Sequence, residues 1–140
     1  MPEDAKSLLR RFYEETSVGN LDAVDELIAD DFVDHEEFPG LEPDKEGVKK
    51  FFAMFRAAFP DARMEPHEML ADGDLVSCRA TFTGTQQGEF MGVAPTGRRI
   101  EVNAIDILRV RDGQFVEHWG VMDAMTMMQQ LGALPEQAPA

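Results

Sequence analysis

Residues 98–123, RRIEVNAIDILRVRDGQFVEHWGVMD, decide the fold. They read as two strands reversing at Arg111-Asp112-Gly113-Gln114, because Asp-Gly is a dipeptide that accepts the positive φ angles of a tight hairpin turn. Counting by twos puts Ile100, Val102, Ala104, Leu108 and Val110 on one face of the first strand, with Asp106 the single charge among them. On the second strand Val116, His118, Gly120 and Met122 share a face, and Phe115, Glu117, Trp119 and Val121 take the other. A reversal at Asp112-Gly113 sets Asp106 and His118 nearly opposite one another. A carboxylate and an imidazole enter apolar surroundings only when paired or when used.

Two readings of that pair stand side by side. In the first, Asp106 salt-bridges a strand arginine, His118 bonds a carbonyl, and both only stabilise the sheet. In the second, both face a cavity. Desolvation then lifts the Asp106 carboxyl towards neutral pH, where a histidine titrates in any case. Asp106 is the general base of that second reading, and His118 orients or protonates a substrate oxygen.

Before the hairpin, residues 63–71 and 75–85 read as strands turned at Asp72-Gly73-Asp74. Along the second of these Val76, Cys78, Ala80 and Phe82 alternate with Ser77, Arg79, Thr81 and Thr83. The glycine-rich stretch 84–97 is expected as a mobile loop bordering a pocket, with Phe90 at its apolar centre. The first half of the chain is helical. Residues 3–16 carry an apolar stripe through Leu8, Leu9, Phe12 and Tyr13, and residues 21–29 a shorter one. Phe32-Val33-Asp34-His35 is extended. Asp44 caps a third helix reaching Ala58, with Phe51, Phe52 and Phe55 on its apolar side. After the hairpin, residues 124–131 form a closing helix ended by Gly132, and residues 135–140 are expected to be a frayed tail.

Helices followed by a meander of antiparallel strands is an α+β order in one domain, residues 1–140. The strands carry apolar residues on both faces, so one face needs the helices and the other must close as a cone or meet a second subunit. Thirteen basic against 27 acidic residues give a net charge of −14, which repels phosphate backbones and anionic lipid and excludes nucleic acid and membrane surfaces as partners. The single cysteine, Cys78, rules out an intrachain disulfide. With no leader or membrane-length run, a cytoplasmic protein is expected. His35, His67 and His118 are too scattered for a zinc site, and Asp34-His35-Glu36-Glu37 reads as a solvated edge, so no metal is expected. No phosphate-binding glycine motif is present, so no nucleotide cofactor is expected either.

The stretches GTQQGEFMGVAPTGRRIE, DILRVRDGQFVEHWGVMD and MMQQLG, with DAVDELIADDFVDHE upstream, resemble the SnoaL-like polyketide cyclases of the NTF2-like superfamily. The resemblance implies a conical α+β barrel, a curved antiparallel sheet wrapped around a pocket, and a homodimer. It also implies cofactor-free chemistry on a small hydrophobic carbonyl compound: aldol ring closure of a polyketide ester, isomerisation or dehydration. A non-catalytic binder of small lipophiles is the alternative. The family's acid/base aspartate falls two residues after the motif histidine, which is Gly120 here, and a pocket histidine of the family falls at Asp106. The expected catalytic residues are therefore Asp106 and His118. The expected pocket consists of Tyr13, His35, Phe51, Phe55, Arg79, Phe90, Ala104, Gly120 and Met122.

Overall fold

The computed structural model describes residues 4–134, so the expected tail and the start of the first helix at Glu3 lie outside the described residues. In chain order the elements are α1 (Ala5–Ser17), α2 (Asp22–Leu27), β1 (Ile28–Asp34), α3 (Lys45–Ala58), β2 (Arg63–Asp72), β3 (Leu75–Thr85), β4 (Arg99–Arg111), β5 (Gln114–Met122) and α4 (Ala124–Gln130). The five strands form one curved, unclosed sheet in the order β1-β5-β4-β3-β2. Strands β2 to β5 are the expected antiparallel meander. The edge strand is not: β1 pairs parallel to β5, with Val33 beside Glu117 and Asp34 beside His118. The second helix stops at Leu27, short of the expected Ala29, because Ile28 already has the extended backbone of β1.

Local chemistry explains the helix starts. Asp4 accepts from the backbone N–H of Ser7, Asp44 from that of Gly47, and Asp123 from that of Thr126, each satisfying a donor the first turn leaves open. α1 buries Leu8, Leu9, Phe12 and Tyr13, and α3 buries Val48 and Phe55. Both helices pack into the core that the concave sheet face supplies through Val76, Phe82, Val102 and Leu108. Burial of this apolar area, at about 25 cal/mol per Å², is the main force holding the helices on the sheet.

Two expectations about the sheet are corrected. A bulge between Arg109 and Val110 opposes Arg109 to Glu117 but Val110 to Phe115, leaving Val116 as the extra residue. Phe115 is thereby turned inward, fully buried, with its ring 5.9 Å from that of Phe12. The stretch 84–97 is pinned rather than loose. The buried Gln86 side chain donates to the carbonyls of Gly88 and Val93 and accepts from the backbone and hydroxyl of Thr96. Phe90 drops from this loop into the rings of Phe55 and Phe59, each with its centroid 5.4 Å away. Among the described residues no helix is long and apolar enough to cross a membrane.

Candidate active site

Between the concave face of the sheet, α1, α3 and the loop that follows β1 lies a cavity of about 720 Å³. That is the size of a pocket for a drug-sized molecule. Most of its wall is apolar, from Phe12, Phe32, Phe51, Phe52, Phe82 and Leu108 among others. Its polar groups gather on the wall where β1, β4 and β5 run side by side.

There Asp106 lies across the ladder from Gly120, and His118 across from Leu108. Asp106 and His118 are thus diagonal neighbours on one face rather than directly opposite, within the reach of long side chains. The His118 ring donates from Nε2 to Asp106 Oδ1 at 2.8 Å and from Nδ1 to Asp34 Oδ1 at 2.8 Å. The second oxygen of Asp106 accepts from the Tyr13 hydroxyl at 2.6 Å, which ties α1 to the sheet. Both side chains of the central pair are largely shielded, 16% exposed for His118 and 13% for Asp106.

Burial alone disfavours the imidazolium of His118. The hydrogen bonds and charges of Asp106 and Asp34 outweigh it and push the pKa up to about 10. His118 is therefore a cation at neutral pH, held between two carboxylates. Burial, followed by the Asp106 carboxylate, raises Tyr13 well above the ordinary phenol range, so it stays a neutral donor.

The fifth group is Glu36, just beyond β1, whose backbone N–H donates to Asp34 Oδ1 at 2.9 Å. Its carboxyl is pushed up to about 7 by burial, with Asp106 and Asp34 adding to the rise and the positive His118 opposing it. Its place depends on Gly120. A Cβ at position 120 would meet Glu36 Oε2 at 2.6 Å, Asp106 Oδ1 at 2.8 Å and His118 Cε1 at 2.8 Å. The space where the sequence resemblance implied a carboxylate on β5 is filled by a carboxylate from the β1 loop.

Of the residues expected in the pocket, Tyr13, His35, Phe51, Ala104, Asp106, His118 and Met122 line the cavity. Four others do not. Arg79 lies on the convex face opposite Ile105, where its guanidinium donates to both oxygens of Glu68 at 2.7 and 3.1 Å. Phe55 and Phe90 are packed into the aromatic core. Gly120 stands behind the Glu36 carboxylate. Although His35 belongs to the wall, its ring stacks on Trp119 at 4.9 Å and its Nε2 meets Glu117 at 2.9 Å. Asp34 and Glu36 were missed. The signal was a period of two: Phe32, Asp34 and Glu36 fall on one side of the extended segment, and Phe32 is buried.

Glu36, Asp106 and His118 bring potential ligand atoms within 4.8 Å of one another. Both His118 nitrogens are committed to carboxylates, so a metal on this set would have to break the Asp106 bond and displace a positive charge. The donor set fits proton chemistry better than a metal.

Residues 7–131 match the family model described as SnoaL-like polyketide cyclase. The chain belongs to that family. Among curated proteins, this SnoaL-like chain is similar to nogalonic acid methyl ester cyclase of Streptomyces nogalater, 26% identical over 83% of this chain and 88% of the relative. It is also similar to aklanonic acid methyl ester cyclase DnrD of Streptomyces peucetius, 29% identical over 89% of this chain and 88% of the relative. Among solved structures, IdmH from Streptomyces antibioticus superposes with a TM-score of 0.82 and is 38% identical, covering 93% of this chain and 99% of that one. The open, curved sheet with its helices is thus the NTF2-like fold of the SnoaL-like cyclases.

Proposed function

We propose that this SnoaL-like chain is a cofactor-independent, cyclase-type enzyme that closes a ring in a small hydrophobic carbonyl compound by an intramolecular aldol reaction. The observation that carries this reading is a large apolar cavity with a hydrogen-bonded cluster of ionisable groups on its wall. The apolar wall suits a polycyclic polyketide ester. The cluster offers carboxyl groups that can move a proton beside a carbonyl, set around the fixed His118 cation. Asp106, Tyr13 and Asp34 hold that cation in place. The two curated relatives are named as cyclases of nogalonic acid methyl ester and of aklanonic acid methyl ester, which supports ring closure on an ester.

The test is incubation with nogalonic acid methyl ester and with aklanonic acid methyl ester. Conversion to an isomeric product of unchanged mass, with no added metal or nucleotide, is expected. Uptake of both esters without conversion would overturn the reading in favour of a lipophile-binding protein.

The convex sheet face carries Ile105, Ile107 and Val121, 55%, 39% and 75% exposed, beside Trp119. Contiguous apolar surface of this kind on a sheet is covered in stable proteins, and a second copy of the chain is the proposed cover. Sedimentation should show a dimer at micromolar concentration that Val121→Glu dissociates; a monomeric parent protein would contradict it.

A further inference from the structure

We propose that Glu36, reaching the cluster through the space left by Gly120, is the group that takes the proton from the substrate carbon and returns it to the product oxygen. This rests on the carbon-acid reading above and assigns its base.

Hydrogen bonding, burial and position together single out Glu36: Glu37 and Glu42 also line the cavity but are exposed, and Asp34 is tied to His118 through Oδ1. Both oxygens of Asp106 accept, one from Tyr13 and one from His118. Oδ1 of Asp34 accepts from His118 and from the Glu36 backbone. Each nitrogen of His118 donates. Among the described residues no hydrogen bond engages the Glu36 carboxylate, although it lines the cavity and is partly buried. A base must have a lone pair to offer, and Asp106 has spent the best of its own.

Gly120 completes the argument. A methyl group there would sit 2.6 Å from Glu36 Oε2, closer than real carbon–oxygen contacts allow. The glycine is the opening through which a side chain of the β1 loop enters the β4–β5 wall. The charged groups that face Glu36 set its balance: His118 from β5 favours the carboxylate, while Asp106 from β4 and Asp34 from β1 favour the acid. Tyr13 of α1 is neutral, Glu37 and Glu42 of the same loop also line the cavity, and α3 presents only Gly47, Val48, Phe51 and Phe52. With its carboxyl near 7, both forms are populated at neutral pH, which is what a group that must accept and then donate a proton needs.

The step balances with no outside reagent. Glu36 takes the proton from the carbon beside a carbonyl, and the C–H electron pair becomes the enolate. The enolate carbon attacks the second carbonyl carbon, forming the C–C bond and pushing the π pair onto that oxygen. The alkoxide then takes the proton from Glu36 and the carboxylate is restored.

Steady-state rates on the same two methyl esters test this with Glu36→Gln, Glu36→Asp and Gly120→Ala, melting temperatures being measured alongside. Glu36→Gln should lower kcat by about 10²–10⁴-fold with little change in KM, and erase the rise of kcat through a pKa near 7 expected of the parent protein. Glu36→Asp should recover part of the rate. Gly120→Ala, which leaves every polar group present, should also lower kcat by pushing Glu36 aside. Glu36→Gln with kcat and the neutral limb intact overturns the proposal while leaving the cyclase reading standing. If the parent protein converts neither ester, the cyclase reading fails and the role of Glu36 falls with it.

Discussion

His118 and His35 sit on opposite sides of the same edge of the sheet, and their backbones are hydrogen bonded to each other at 2.8 Å. Both rings meet carboxylates at nearly the same distance, 2.8 Å for His118 and 2.9 Å for His35. What differs is water. The His118 side chain is 16% exposed and His35 40%. Inside, two carboxylates must be answered by a cation, and the proton is fixed well above its ordinary pKa. Outside, solvent screens the same pairing and it is worth little. The lesson is that proximity of an acid and an imidazole does not make an active pair; enclosure does.

The largest effect comes from removing the inner cation. His118→Gln leaves Asp34 and Asp106 facing each other without a counter-charge in a shielded site, and should cost about 3–5 kcal/mol in denaturant unfolding as well as the activity. The sign of its pH dependence is fixed. The folded pKa of about 10 lies above the ordinary 6.5, so the stability His118 contributes is complete below pH 6.5 and is lost as pH rises through 10. The difference between parent and variant stabilities should shrink over that window.

A smaller effect belongs to Glu36. Its folded pKa of about 7 also lies above its ordinary 4.5, so its favourable contribution is complete below pH 4.5 and is lost as pH rises through 7. Glu36→Gln should flatten that part of the stability curve, read as melting temperature against pH. An unchanged curve would mean the carboxyl is solvated. The smallest effect is outside: His35→Gln removes a half-exposed pair and a stacking contact, and its melting temperature should stay close to the parent's. A loss as large as that of His118→Gln would erase the distinction between the two sides.

Much of this was legible in the chain because it depends on neighbours in sequence. The Asp112-Gly113 turn, the alternation that puts Asp106 among apolar residues, and the Asp44 cap of α3 are all local. What was not legible comes from long-range pairing and from one extra residue. Asp34 reaches His118 across 84 positions because β1 joins β5 in parallel, a pairing no hairpin signal announces. The bulge at Val116 turned Phe115 to the face opposite the one its parity implied. Arg79 is a strand cation that needs an acceptor, and it finds a carboxylate rather than the pocket. Alternation had already set it on the face away from Cys78, where Glu68 supplies one. Glu36 was hidden by its company: in a run of acids the bland expectation is solvent, and only the enclosure made by the β1 loop reverses it.

The cavity wall holds His118 as a cation, and ring-nitrogen NMR of histidine-labelled protein reads that charge. Across pH 6.5 to 9 the His118 resonances should stay in the range of a ring with both nitrogens protonated, with deprotonation only towards pH 10. A His118 ring that loses a proton near its ordinary 6.5 would contradict this, because Asp34 and Asp106 would then face each other across a neutral ring.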